Sequence, residues 1–325
     1  MDNYKENPNN LIMCVTPLQM LIAEKIIDLN PGQHFDLIVL VHNHNEKYHY
    51  YYQKLKEKCV NTLYYIAEPG FSGFLNYINK IKEKSLNRKY RNYYLASIDS
   101  RHFQYVISKI YRPNIYTFDD GTANVIKTSI YYQDSKPVLW KRLIWRILGV
   151  RFYMEDIKKL SLHHYTLYQN VSNIINNTKK LELFLDEKKP DQQQRKRIKI
   201  YLGQPMHELS EKFSLAYIEQ YIGRLKPDYY FPHPREKKYP AAGAEIITTF
   251  LIFEDYIIQF IKRNPEIEVE VYSFMSTAIL NIANISRVSV KYIYEPTLYQ
   301  LYRNFYDTVG QDFGIELLTL EQCSK

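Results

Sequence analysis

Long apolar runs are missing from this 325-residue chain, where no stretch approaches the roughly 18 uninterrupted apolar residues of a membrane-spanning helix, so none is expected. Cysteine is scarce. Cys14, Cys59 and Cys323 stand far apart and form no CxxC pair, which argues against both a disulfide scaffold and a structural zinc site. The stretch Met1 to Asn10 is polar and has no hydrophobic signal region, so work in the cytoplasm is expected. No Gly-x-Gly-x-x-Gly follows the first apolar run, and neither NAD nor FAD is expected. Internal repeats, low-complexity tracts, a basic recognition helix and RNP-like aromatics are also absent. Nucleic acid is therefore not an expected partner, despite a net charge of +8.

An apolar content of 46% with 24% charged residues is that of a globular chain, long enough for two α/β domains of ordinary size. The positive charge is spread, which suits an anionic substrate or surface. Lys141, Arg142, Arg146 and Arg151 cluster beside Trp140 and Trp145, a basic and aromatic mixture that fits a membrane interface. The plainer expectation is an amphipathic surface helix with its tryptophans packed inward.

Asn10 to Val15 reads as a strand, and Thr16-Pro17 then opens a helix, with threonine as N-cap and proline at the first helical position. Asn30-Pro31-Gly32 ends that helix before a second buried strand, Phe35 to Val41. Helices and strands keep alternating to Ile115–Phe118, which runs into Asp119-Asp120-Gly121-Thr122. The pattern predicts a doubly wound parallel sheet over residues 1–155, a linker over 156–197 and a second Rossmann-like domain over 198–325.

In open α/β sheets ligands collect beyond the carboxyl ends of the strands, so polar loops there are the candidate sites. They are Asp119-Asp120-Gly121, Gly203-Gln204-Pro205 with Glu208, Pro232-His233-Pro234-Arg235, and Ser273 to Thr277. Proline on both sides of His233 restricts the backbone that presents the imidazole. Serine and threonine where a strand feeds a helix suit a phosphate, or serve simply as N-caps. A carboxylate facing such a set could deprotonate an acceptor hydroxyl while the basic and hydroxyl groups stabilise a departing phosphate. Asp119-Asp120 could instead hold a metal or form a solvated turn.

Phe118-Asp119-Asp120-Gly121-Thr122, Gly203-Gln204-Pro205, His233-Pro234-Arg235-Glu236, Ile252 to Tyr256 and Tyr272 to Ser276, in this order, resemble the bacterial lipooligosaccharide sialyltransferases of glycosyltransferase family 52. Leu11 to Gln19 and His164-Tyr165-Thr166 fit as well. The resemblance implies a GT-B fold, two Rossmann-like domains across a cleft, and inverting transfer of sialic acid from CMP-sialic acid to a terminal galactose. It implies no metal and no cofactor beyond the donor, and a homodimer with exchanged segments. His233 is implied at the CMP phosphate, with Ser273, Ser276 and Thr277 as further contacts and Glu254 at a ribose hydroxyl. Gly203, Gln204 and Pro234 complete the nucleotide side, and Arg235 shapes its loop. The family's base is an aspartate just after the glycine-x-proline turn. Here Met206-His207-Glu208-Leu209-Ser210-Glu211 follows, leaving Glu208, then Glu211, then Asp119 or Asp120 as candidates, with His207 last. A hexosyltransferase on the same scaffold and a non-catalytic glycan-binding relative are the alternatives.

Overall fold

Thr16 and Pro17 start the first helix, Pro17–Asp28, as their positions predict: the Thr16 hydroxyl accepts from the Gln19 backbone N–H, and the proline occupies the first turn. The computed structural model describes residues 10–42, 44–133, 138–168, 170–183, 195–319 and 321–322. The polar N-terminal tail to residue 9, the charged stretch 184–194 and Cys323 lie outside them. Two compact units result, one reaching Leu167 and adding Ser172–Leu181, the other holding Tyr168–Val171 and the described residues from Glu182 onward.

The first unit is built on seven parallel strands: β1 (Asn10–Cys14), β2 (Phe35–Val41), β3 (Thr62–Ile66), β4 (Asn92–Leu95), β5 (Asn114–Phe118), β6 (Ser161–Thr166) and β7 (Thr178–Lys180). Their order is β3-β2-β1-β4-β5-β6-β7. Every residue of β1 and β2 is buried, as strands covered on both faces require. The chain reverses its direction of travel between β1 and β4, and a crevice opens beyond their carboxyl ends at such a switch point.

The second unit repeats the plan with six strands: β8 (Lys196–Leu202), β9 (Tyr229–Phe231), β10 (Glu245–Ile246), β11 (Ile267–Ser273), β12 (Val288–Ile293) and β13 (Leu317–Leu318). The order β10-β9-β8-β11-β12-β13 puts its switch point between β8 and β11. The two parallel α/β sheets expected of a GT-B chain are both present.

Two expectations need correction. Residues 156–181, expected within a linker, instead supply most of the helix Met154–Leu160 and all of β6 and β7, which extend the first sheet past β5. The polar composition around His163-His164 hid a strand whose histidine is buried because it bonds to β5. The first α-helix of the second unit, Leu215–Leu225, begins where Ser214 takes the cap and accepts from the Tyr217 N–H. On the helix Leu139–Ile147, Trp145 packs inward against Phe74, whereas Trp140 is 62% exposed.

Candidate functional site

Each switch point gathers a set of polar side chains, and the two sets differ in how far their bonds are already made. In the first unit, Asp119 at the end of β5 is fully buried. His164 Nε2 lies 2.8 Å from its Oδ1, and the Leu167 N–H donates to Oδ2 at 2.6 Å. With the proton on Nε2, His164 Nδ1 accepts from the Thr117 hydroxyl at 2.9 Å. Asp119 therefore staples β5 to β6. Without exposed surface it cannot meet a substrate.

Asp120, one residue on, points the other way. Gln19 from the helix after β1 donates to its Oδ1 at 2.5 Å, and Ser97 after β4 and Tyr131 reach its Oδ2 at 3.2 and 2.5 Å. The Asp120 backbone N–H donates to Asn124 at 2.6 Å. Burial pushes the Asp120 carboxyl up from the usual carboxylate range, against the hydrogen bonds from Tyr131, Gln19 and Ser97 that favour its charge, and the Asp99 carboxylate adds to the rise. No cation is among these hydrogen-bonding partners, so this is a carboxylate held at cost among neutral donors.

In the second unit the turn after β8, Gly203-Gln204-Pro205, is tied across the switch point. Gln204 Oε1 accepts from the Met275 N–H at 2.9 Å and lies 3.1 Å from the Ser273 hydroxyl. Ser273 is fully buried and also bonds to the Leu202 carbonyl at 3.0 Å, so it braces the turn rather than facing a phosphate. Beyond it Ser276 is partly exposed and Thr277 exposed. Thr277 precedes the helix Ala278–Ile282 without spending its hydroxyl on a cap, so the ordinary N-cap reading does not apply to it.

The loop after β9 presents His233. Its Nδ1 accepts the Arg235 N–H at 3.2 Å, which puts the neutral ring's proton on Nε2. The turn is closed twice by Glu236: its N–H donates to the His233 carbonyl at 2.9 Å, and its carboxylate accepts the His233 N–H at 2.7 Å. Tyr230 donates to the same carboxylate at 2.8 Å. Burial pushes the Glu236 carboxyl up, while the His233 and Tyr230 bonds oppose the shift. A methyl group at position 203 would collide with the Glu236 carboxylate and lie 2.7 Å from the Tyr230 oxygen, so only glycine lets the β8 and β9 loops close together.

Arg235 pairs with Glu208, which brings that carboxylate to the His233 loop. At 63% and 38% exposure the pair is a surface ion pair, good for orientation more than stability. Glu211 and His207 are exposed nearby in sequence, and Pro234 is exposed beside His233. Glu254 is buried and accepts from Asn281 at 2.7 Å, and Asn281 in turn accepts from Tyr168. The structure thus joins His233, Arg235, Glu208, Gly203 and Gln204 in one neighbourhood, leaves Asp119 in the core and sets Asp120 in the other unit. Sequence reasoning assigned no role to Gln19, Ser97, Tyr131 or Glu236. For Glu236 a signal existed, a glutamate three residues after His233, the spacing that lets a side chain return to a backbone N–H. Among the described residues no group of three or more His, Cys, Asp or Glu could hold a metal ion, and no helix is long and apolar enough to cross a membrane.

A "CMP-N-acetylneuraminate:beta-galactoside alpha-2,3-sialyltransferase" of Pasteurella multocida (strain Pm70) is 33% identical over 305 residues, covering 93% of this chain and 97% of the relative. An "N-acetyllactosaminide alpha-2,3-sialyltransferase" of Neisseria meningitidis serogroup A is 32% identical, covering 89% of this chain and 79% of its own. One of the same name from Haemophilus influenzae is 28% identical, with coverage of 87% and 91%. Among solved structures, a UDP-N-acetylglucosamine 2-epimerase overlays 98% of this chain and 90% of its own at a TM-score of 0.45 and 10% identity, a likeness too loose to carry an argument. Residues 33–296 match the sequence profile of glycosyltransferase family 52, and the chain belongs to that family.

Proposed function

We propose that the chain is an inverting sialyltransferase that moves sialic acid from CMP-sialic acid to the terminal galactose of a bacterial surface glycan, lipooligosaccharide or capsule, in α-2,3 linkage. The observation that carries this reading is the second switch point. There a proline-flanked imidazole with its proton on Nε2, a carboxylate–guanidinium pair and the Ser276 and Thr277 hydroxyls belong to neighbouring loops. One phosphate needs little counter-charge, and these groups supply it without a metal.

In this account residues 198–325 bind the donor and residues 1–155 the acceptor. Glu208 takes the proton from the galactose hydroxyl as that oxygen bonds to the anomeric carbon. The bond from that carbon to the phosphate oxygen breaks, and CMP leaves with the electron pair. His233 donates its Nε2 hydrogen bond to the departing phosphate, whose charge favours the protonated ring. Glu236 and Gly203 hold His233 in place. Asp120 is the second reading for the base, favoured by the burial that raises its carboxyl toward the range a base needs at neutral pH. A homodimer, and work in the cytoplasm against the inner membrane, belong to the same proposal.

Release of CMP from CMP-sialic acid by the purified chain, with and without lactose and with EDTA throughout, tests it. Lactose-dependent release is expected, falling on the order of 10²–10³-fold in His233→Ala, as for loss of one donor to a transition-state oxyanion. No release, with a UDP-sugar consumed instead, overturns the donor. Normal turnover by His233→Ala removes that residue from the mechanism.

A further inference from the structure

Glu208 stands on a segment with little regular structure of its own. Between β8 and the helix Leu215–Leu225 the chain makes one short 3-10 turn, Met206–Glu208, and a second turn in which the Phe213 N–H meets the Ser210 carbonyl at 3.0 Å. Met206 and Phe213 sink into the core at its two ends, while Glu208, Leu209 and Glu211 between them are exposed. A side chain on such a loop is only as well placed as the loop's anchors. The remaining anchor is ionic. Lys212 Nζ donates to Glu295 Oε1 at 2.8 Å and to the Thr297 hydroxyl, and lies 5.4 Å from the Tyr217 ring.

Glu295 follows β12, and its side chain has no exposed surface. Its Oε2 accepts the Leu298 N–H at 2.8 Å and so caps the helix Pro296–Leu301. That cap needs no lysine. The other oxygen, Oε1, is turned to the segment after β8, where it accepts from the Tyr217 hydroxyl at 2.8 Å as well as from Lys212. Burial pushes the Glu295 carboxyl up, but the bonds from Lys212, the Leu298 N–H and Tyr217 outweigh it and hold the carboxyl below the usual range. Among these partners only Lys212 carries charge. β8 and β12 are not neighbours, since β11 lies between them, so the pair links the two outer loops across β11, beside the switch point that Gln204 and Ser273 already bridge. Glu208 is thus held from two directions. Arg235 from the loop after β9 takes its carboxylate, and Lys212 ties its segment to the loop after β12.

We propose that Lys212 and Glu295 are positioning residues for the general base: their pair fixes the segment after the β8 turn so that the Glu208 carboxylate meets the acceptor hydroxyl within hydrogen-bond reach. The inference rests on Glu208 as the base in the functional reading above. Both residues act through Glu208 and not on the substrate.

Steady-state CMP release onto lactose by Glu208→Gln, Lys212→Met and the double variant of the full chain, with CMP affinity measured on each, tests it. Lys212→Met lowers kcat on the order of 10–100-fold, the effect of a group misplaced by about an ångström, while CMP affinity stays within about threefold. Lys212→Arg, which keeps the charge, recovers most of the turnover. The double variant is no slower than Glu208→Gln alone, because a base that is gone cannot be misplaced. Lys212→Met strands a buried carboxylate, so Lys212→Met with Glu295→Gln, which removes both charges, serves where the single variant fails to fold, and shows the same loss of kcat. Losses that multiply in the Glu208→Gln, Lys212→Met chain make the pair a support of the fold and overturn the proposal, as does wild-type kcat without the pair. Normal turnover by Glu208→Gln removes the base assignment and the proposal together, whereas multiplying losses remove the proposal alone.

Discussion

The two switch-point crevices share a topology and differ in what their polar groups have left to do. In the first unit the carboxylates are consumed by the fold: Asp119 is capped by His164 and the Leu167 N–H, and Asp120 sits among Gln19, Ser97 and Tyr131. In the second, the internal bonds go to bracing. Glu236, Gln204 and Ser273 are tied into the loops, and what they hold in place is His233 and the partly exposed side chains near it. A strand-end motif therefore does not announce its own use. Asp-Asp-Gly and His-Pro-Arg-Glu look equally functional as letters, and only the bonding separates them.

The largest expected effect sharpens this contrast at the base. Glu208→Gln should lower kcat for CMP release onto lactose on the order of 10²–10⁴-fold, the usual range for a lost general base, while Asp120→Asn stays within about tenfold. The opposite pattern would move the base to the first unit. Next, Asp119→Ala leaves the His164 ring and the Leu167 N–H without their acceptor in the core. A loss of about 3 kcal/mol in urea unfolding is expected, with CMP affinity retained. A loss well under 1 kcal/mol would show that this carboxylate does not hold β5 to β6.

A smaller effect comes from Asp120, whose carboxyl is raised by burial. A carboxyl that is higher in the folded chain than in the unfolded one costs stability once it ionises, above the folded value. The cost disappears as pH falls through the folded value to below the unfolded one. Asp120→Asn should thus unfold at a higher temperature than wild type at neutral pH, with the gap closing on acidification. A gap that widens toward low pH would reverse the assignment. The smallest effect is expected for Arg235→Gln, where breaking the exposed pair with Glu208 should cost no more than about 1 kcal/mol and matter less in high salt.

Much of the layout is legible in the sequence. Thr16-Pro17 announces its helix because cap and first-turn proline act locally, and the buried runs of β1 and β2 have no other reading. What escaped depends on partners distant in sequence. β6 looks like linker because its partner β5 is distant in sequence, β7 joins the sheet only through β6, and the burial of His164 follows from a carboxylate 45 residues earlier. Ser273 reads as a phosphate ligand until the Leu202 carbonyl and Gln204 are beside it. Trp140 and Trp145 are alike in sequence, yet only the second finds Phe74.

Hydrogen exchange of the full chain with and without CMP tests most directly the claim that the second crevice, and not the first, is the nucleotide site. Protection is expected in residues 203–209, 231–236 and 275–278, with residues 97–99 and 119–124 unchanged. Protection confined to 97–99 and 119–124 would contradict the account and give the nucleotide to Asp120.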